Sequence, residues 1–136
     1  MLFLDTNVVV DLLRKRTPRL RDSFAAACAA SRPLAISTVV LFELRFGAHN
    51  SQRPEANMRA LDAFLEDTGM IVVAFDEAAA AEAADIRAVL SRVGGLIGPY
   101  DILIAAQARA RGAILVTANR REFERVPGLM VTDWAT

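Results

Sequence analysis

The first fourteen residues, Met1-Leu2-Phe3-Leu4-Asp5-Thr6-Asn7-Val8-Val9-Val10-Asp11-Leu12-Leu13-Arg14, change texture at Asp5. Leu2-Phe3-Leu4 is a short, uniformly apolar run, the pattern of a strand buried on both faces. Val8 to Arg14 carries its apolar residues in a helical register. A carboxylate stands at the joint. The same alternation repeats along the chain. Further strands are predicted at Leu34-Ala35-Ile36, Met70 to Ala74 and Ala113 to Thr117, with Met130-Val131-Thr132 as an edge strand. Helical patterns over 18–31, 39–48, 55–67, 77–92 and 101–111 separate them. The punctuation agrees. Pro18 opens a helix, Ser37 or Thr38 caps the next, Asp76 caps another, and Gly69 and Gly112 end two of them. His49 to Pro54 is a polar connection, and Gly94 to Pro99 is the main flexible loop. Short apolar strands alternating with helices predict an α/β fold, a central parallel sheet of about four to five strands flanked by helices. At 136 residues, the chain reads as a single domain, 1–136.

Composition excludes several classes. The chain is 54% hydrophobic and 24% charged, which is globular and not disordered. Sixteen basic and sixteen acidic residues cancel, so any positive footprint for nucleic acid is local. One cysteine, Cys28, and one histidine, His49, build neither an intrachain disulfide nor a Cys/His zinc cluster. The N-terminus lacks the basic region of a signal peptide, and no run of about 18 uncharged apolar residues predicts a membrane span. The expected location is the cytoplasm.

Three acids stand where acids are costly or exposed to ligands. In a parallel α/β sheet, ligands bind beyond the carboxyl ends of the strands, and Asp5 directly follows the first strand. Helix N-capping is its other reading, although Thr6 and Asn7 are equally able caps. Glu43 lies within Val39-Val40-Leu41-Phe42-Glu43-Leu44-Arg45-Phe46, a helix apolar nearly all round and so expected to be buried. Burial of an unpaired carboxylate costs several kcal/mol after relaxation, and Arg45 at i+2 points elsewhere. Asp101 opens the apolar helix that follows Gly98-Pro99-Tyr100, where the helix dipole also favours an acid. If the three converge, their repulsion must be offset by a proton or a cation. Oxygen-only ligation suits a hard ion, Mg²⁺ or Mn²⁺. The chemistry is then metal-assisted phosphodiester hydrolysis.

These residues carry a family resemblance. Asp5-Thr6-Asn7-Val8 after an N-terminal strand resembles the opening motif of PIN domains. Ser37 to Gly47, with Glu43, resembles the second motif, and Ile97 to Ala106, with Asp101, the third. Leu115-Val116-Thr117-Ala118-Asn119-Arg120-Arg121-Glu122-Phe123 resembles the fourth, and Val126-Pro127-Gly128-Leu129 with Asp133-Trp134 the ending. Within that family the chain resembles VapC-type toxins of type II toxin–antitoxin pairs, over essentially its whole length. The resemblance implies a PIN-like fold, Mg²⁺- or Mn²⁺-dependent endoribonuclease activity, a homodimer and inhibition by a VapB-type antitoxin. It also implies binding of operator DNA by the toxin–antitoxin complex. Asp5, Glu43 and Asp101 are then the metal acids. Many PIN domains place an aspartate near position 119; here Asn119 stands there and Glu122 is the nearest carboxylate, a candidate fourth catalytic acid. Thr6, Asn7, Thr117 and Asn119 are candidates for orienting ligands or substrate.

Arg14-Lys15-Arg16, with Arg19 and Arg21, is the densest positive patch. It could meet RNA or the antitoxin, or be a solvated helix end. Tyr100 could stack on a base, although packing is its more ordinary use, and Trp134 reads as packing of the C-terminus. Other functions fit less well. A receiver needs a lysine after a late strand, and the only lysine is Lys15. An aspartate phosphotransferase needs a second aspartate at position 7, occupied by Asn7. A catalytically weak PIN-like binding partner of an antitoxin would not need three costly acids. A DNA-directed nuclease of the same fold commonly carries additional domains.

Overall fold

A computed structural model describes residues 1–136. Five short strands, β1 (Leu2–Leu4), β2 (Leu34–Ser37), β3 (Ile71–Val73), β4 (Ile114–Val116) and β5 (Met130–Thr132), pair in parallel in the order β3-β2-β1-β4-β5. The expected sheet is therefore present, with five strands. Leu2 is in register with Leu34 on one side and Ile114 on the other. β1 is central and buried at all three residues, whereas the edge strands β3 and β5 expose Ile71, Val72 and Met130. Met70 and Ala74 fall outside β3, and Ala113 and Thr117 outside β4.

Seven helices connect the strands: α1 (Thr6–Arg14), α2 (Pro18–Ala29), α3 (Thr38–His49), α4 (Pro54–Thr68), α5 (Glu77–Arg92), α6 (Pro99–Ala110) and α7 (Arg120–Phe123). The chain runs from β1 outward to β2 and β3, then crosses back to the far side of β1 for β4 and β5. Right-handed crossovers put helices on opposite faces of the sheet for the two directions. α1, α3 and α4 pack together, and α5 packs along α6. The reversal between β1 and β4 is a topological switch point, the place where sheets of this kind open a crevice.

Local chemistry explains most boundaries. Ser37 caps α3 through Val40 N–H at 2.9 Å, and Asp76 caps α5 through Ala79 N–H at 2.9 Å. Pro18, Pro54 and Pro99 occupy first turns, where no N–H is needed. Gly69 ends α4 at φ 64°, a left-handed conformation that glycine adopts without a Cβ clash. Two starts differ from expectation. α1 begins at Thr6 because Asp5 itself is the cap, its carboxylate accepting from Thr6 N–H at 2.8 Å. α6 begins at Pro99, which makes Asp101 its third residue and not its first.

A cluster of 30 buried residues forms the core, with Phe3, Phe123, Ile36, Ile104 and Leu115 among its largest members. Each such side chain contributes roughly 1.5–3 kcal/mol by leaving water. α6 is buried along most of its length and anchored at Gln107, whose Nε2 donates to Val73 O at 2.9 Å. Arg109 clips the outside, donating to Glu82, to Asp85 at 2.7 Å and to Pro127 O at 3.0 Å. Those contacts tie α5, α6 and the loop after α7 together. Trp134 packs edge-on against Phe24, so the C-terminus is held as expected.

The expected all-round burial of α3 is not found. Val40, Leu44 and Ala48 are buried, but Phe42 and Phe46 are 52% and 59% exposed. Neighbouring helices cover only part of the α3 surface, and Glu43 sits at the border, partly exposed. Its argument from full burial is thereby corrected: the residue is placed beside the other acids by its element and not sealed inside a core. Arg45 does not pair with it; Arg45 reaches Asp62 of α4 at 3.1 Å.

Candidate metal centre

The crevice at the switch point is built from strand ends and helix starts. Asp5 leaves β1 and Thr117 leaves β4, and the two strands are adjacent. Asp5 N–H donates to Val116 O at 2.9 Å, continuing the ladder one step beyond β1. That step brings the Thr117 hydroxyl to Asp5 Oδ2 at 2.8 Å, a contact spanning 112 residues of sequence. Asp5 Oδ1 is held by Thr6 N–H, and the Thr6 hydroxyl donates to Glu43 Oε1 at 2.6 Å. Thr6 therefore bridges the acid of β1 to the acid of α3. Across the crevice, Asn119 Nδ2 donates to Glu122 Oε2 at 2.9 Å, and Thr117 Oγ1 accepts from Asn119 N–H at 2.9 Å. Glu122 in turn is near enough to Asp101 to help hold its carboxyl above the usual range.

The electrostatics report one cluster. Burial pushes the Asp5 carboxyl above its usual range, against the lowering effect of the bonds from Thr117 and Thr6; Glu43 and Glu122 push it further up. Asp101 is raised to about 7, by burial first, then by the charge of Asp5, by Glu122 and by Glu43. Four carboxylates from β1, α3, α6 and α7 thus act on one another, as the sequence predicts for Asp5, Glu43, Asp101 and Glu122. No three of them close on a common point as metal ligands do; the hydroxyls of Thr6 and Thr117 and the amide of Asn119 hold three of the four. The donor set is nevertheless all oxygen, half-buried and mutually repelling, and it fits a hard divalent cation better than any other compensating group.

The remaining candidates divide. Thr6, Thr117 and Asn119 are all engaged with the acids. Asn7 is exposed on α1 and makes no side-chain bond to them. Arg14 lines a groove of about 210 Å³ between α1, α3 and α4 that also includes Glu43, Val10, Leu13 and Leu44. Lys15 and Arg16 are exposed on the turn beyond it, with Lys15 left-handed at φ 54°. Tyr100 packs edge-on against Phe42 with ring centres 5.6 Å apart, and both rings are about half exposed. The sequence reading missed that aromatic contact and the exposure of Phe46; two phenylalanines at i and i+4 were the available signal.

Acids gathered at the switch point of a five-stranded parallel sheet make a setting suited to metal-assisted chemistry on an α/β scaffold. The chain belongs to the PIN domain family, whose pattern matches residues 2–129. It is 41% identical to the tRNA(fMet)-specific endonuclease VapC of Shigella flexneri, over 97% of this chain and 96% of that protein. It is 37% identical to the tRNA(fMet)-specific endonuclease VapC of Salmonella typhimurium, over 96% of each. Among solved structures it resembles VapBC2 from Rickettsia felis bound to a promoter DNA fragment, with a TM-score of 0.90 and 32% identity over 98% of this chain and 99% of that one. The DNA-bound VapBC of Salmonella typhimurium superposes with a TM-score of 0.89 at 38% identity, over 98% of this chain and 97% of that one.

Proposed function

We propose that this chain is the toxin of a type II toxin–antitoxin pair, an endoribonuclease that uses Mg²⁺ or Mn²⁺ to hydrolyse RNA phosphodiester bonds. The observation that carries the reading is the set of four interacting carboxylates at the β1/β4 switch point, with Asp101 raised to about 7 by burial first and then by its acidic neighbours. Asp5, Glu43 and Asp101 hold the metal and Glu122 is the fourth acid. A bound hard cation would polarise the phosphate and lower the pKa of an attacking water. The chain's own groups prepare for that. Thr117 and Thr6 fix both oxygens of Asp5, Thr6 aligns Glu43, and Asn119 orients Glu122. Arg14, across the groove from Glu43, is placed to meet RNA or the antitoxin.

The relatives named for tRNA(fMet) make an initiator tRNA the first substrate to test. A VapB-type antitoxin would inhibit the enzyme, and the pair would bind operator DNA, as the DNA-bound VapBC structures suggest. Phe42, Phe46 and Tyr100 form an exposed apolar face beside the acids, the kind of patch that marks a protein interface; it is proposed as the homodimer contact. No helix is long and apolar enough to cross a membrane, and action on RNA points to the cytoplasm.

The test is direct. Purified protein with Mn²⁺ or Mg²⁺ should cleave RNA, EDTA should stop it, and Asp5→Ala should abolish it with the circular dichroism spectrum unchanged. Undiminished cleavage in excess EDTA or by Asp5→Ala would overturn the reading. Cleavage of DNA alone would make the protein a DNA-directed nuclease. Antitoxin binding with no nuclease activity would make it a binding partner only.

A further inference from the structure

Gly98 is not demanded by its backbone conformation. Its backbone, φ −54° and ψ 145°, is open to any residue and is the extended conformation favoured before proline. Conformational freedom therefore does not explain it. It is the N-cap of a twelve-residue helix and supplies no side-chain cap; glycine is accepted there about as well as threonine, and a hydrogen-bonding side chain would do slightly better. α1, α3 and α5 all use such a side chain, at Asp5, Ser37 and Asp76.

What distinguishes position 98 is space. A Cβ there would stand 3.1 Å from Asp101 Oδ2 and 3.7 Å from its Cγ. Gly47, Gly69, Gly94 and Gly112 would meet nothing within 4 Å, and Gly95 and Gly128 meet neighbours only at 3.5 Å or beyond. Asp101 is the third residue of α6, and its carboxylate folds back over the start of its own helix. A side chain at 98 would press on that carboxylate, which would have to give by a few tenths of an ångström, in a place where the neighbouring acids already act on it.

We propose that Gly98 is a positioning residue: its missing side chain leaves the space that the Asp101 carboxylate occupies, and so sets where that oxygen meets the metal. The inference rests on the metal-site reading above. The magnitudes make it consequential. Mg²⁺ requires nearly ideal octahedral oxygens at about 2.0–2.1 Å, and ligand distances are tolerated within about 0.2 Å. A side chain in that space narrows the positions from which the carboxylate can reach such a geometry. Alanine is the smallest side chain that would do so.

The experiment compares full-length wild type, Gly98→Ala and, as a control, Gly47→Ala. Mn²⁺ binding is followed by calorimetry and RNA cleavage by steady-state kinetics. Gly98→Ala should weaken Mn²⁺ binding about tenfold or more, the scale seen when groups that orient a metal ligand are removed. It should lower kcat with little change in KM, and Gly47→Ala should match wild type. A melting-temperature cycle covers the case in which Gly98→Ala folds poorly. Asp101→Ala removes the atoms struck by the new Cβ, so the part of any stability loss that comes from that contact should vanish in that background, leaving only the cost of alanine as an N-cap. Wild-type Mn²⁺ affinity and kcat in Gly98→Ala would overturn the proposal, as would strictly additive stability effects of Gly98→Ala and Asp101→Ala. A wild type that binds no Mn²⁺ would overturn the metal-site reading itself, and this inference with it.

Discussion

α3 and α6 are written in the same letters and live in different places. Each carries a run of aliphatic residues, Val and Leu in α3 and Ile, Leu and Ala in α6, and each sets an aromatic residue before an acid, Phe42-Glu43 and Tyr100-Asp101. α6 buries Ile102 and every residue from Ile104 to Ala108, while α3 buries only Val40, Leu44 and Ala48. An apolar helix thus reports that water is unwelcome on all its sides, without reporting what excludes it. For α6 the covering comes from α5 and the sheet. For α3, one face is left to Phe42 and Phe46, both more than half exposed, and it is this face that is proposed above as the homodimer contact. The acid on each helix nevertheless reaches the same crevice.

The largest effect that tests this comparison is catalytic. Asp101→Asn and Glu43→Gln should each lower kcat/KM for RNA by about 10²-fold or more, the usual scale for removing a group that stabilises transition-state charge. Steady-state cleavage assays measure it, and full activity in Glu43→Gln would take α3 out of the site. Next comes packing. Ile104→Ala should cost about 2–5 kcal/mol in urea unfolding, because α6 has no room to relax. A cost below about 1 kcal/mol would show that α6 is less enclosed than its burial indicates.

The pH dependence is smaller and has a definite sign. Asp101 is raised from 3.8 to about 7, so between those values the folded protein keeps a proton that the unfolded chain has released. Folded protein binding more protons loses stability as pH rises. Metal-free protein should therefore melt progressively lower as pH increases through that window, and Asp101→Asn should flatten the trend. Mn²⁺ competes with the proton, so its affinity should rise over the same window. Differential scanning at several pH values, with and without Mn²⁺, reads both; a flat profile in wild type would remove the coupling. The smallest effect on stability belongs to α3. Phe46→Ser should change the stability of the isolated protomer by only about 0.5 kcal/mol, yet shift the species seen by analytical ultracentrifugation toward monomer. Unchanged association would free that face for another partner.

Much of the site was legible early. Asp5 after an apolar triplet, Glu43 in an apolar helix and Asp101 in a helix start are local patterns, and the structure brings all three together with Glu122. The physical argument for Glu43 was the weaker part, since it rested on a burial that α3 does not have. Asp5 was read as ligand or cap, and it is built as both: one oxygen caps α1 through Thr6 N–H while the other takes the Thr117 hydroxyl. Gly98 fell within the expected flexible loop Gly94 to Pro99, because in a sequence glycine advertises freedom and does not show what fills the space it leaves.

By itself the sequence determined the order and type of the elements, their caps and which residues follow the strand ends. Those depend on hydrophobic period and on hydrogen bonds between near neighbours, so they are fixed within a few residues. Only the tertiary structure decided that β4 returns to lie beside β1, which sets Thr117 on Asp5 from 112 residues away. It alone decided that α6 is enclosed and α3 half open, and that the Asp101 carboxylate rests against Gly98. Pairing between distant strands and the covering of a helix by its neighbours are non-local terms, and no stretch of the chain carries them alone.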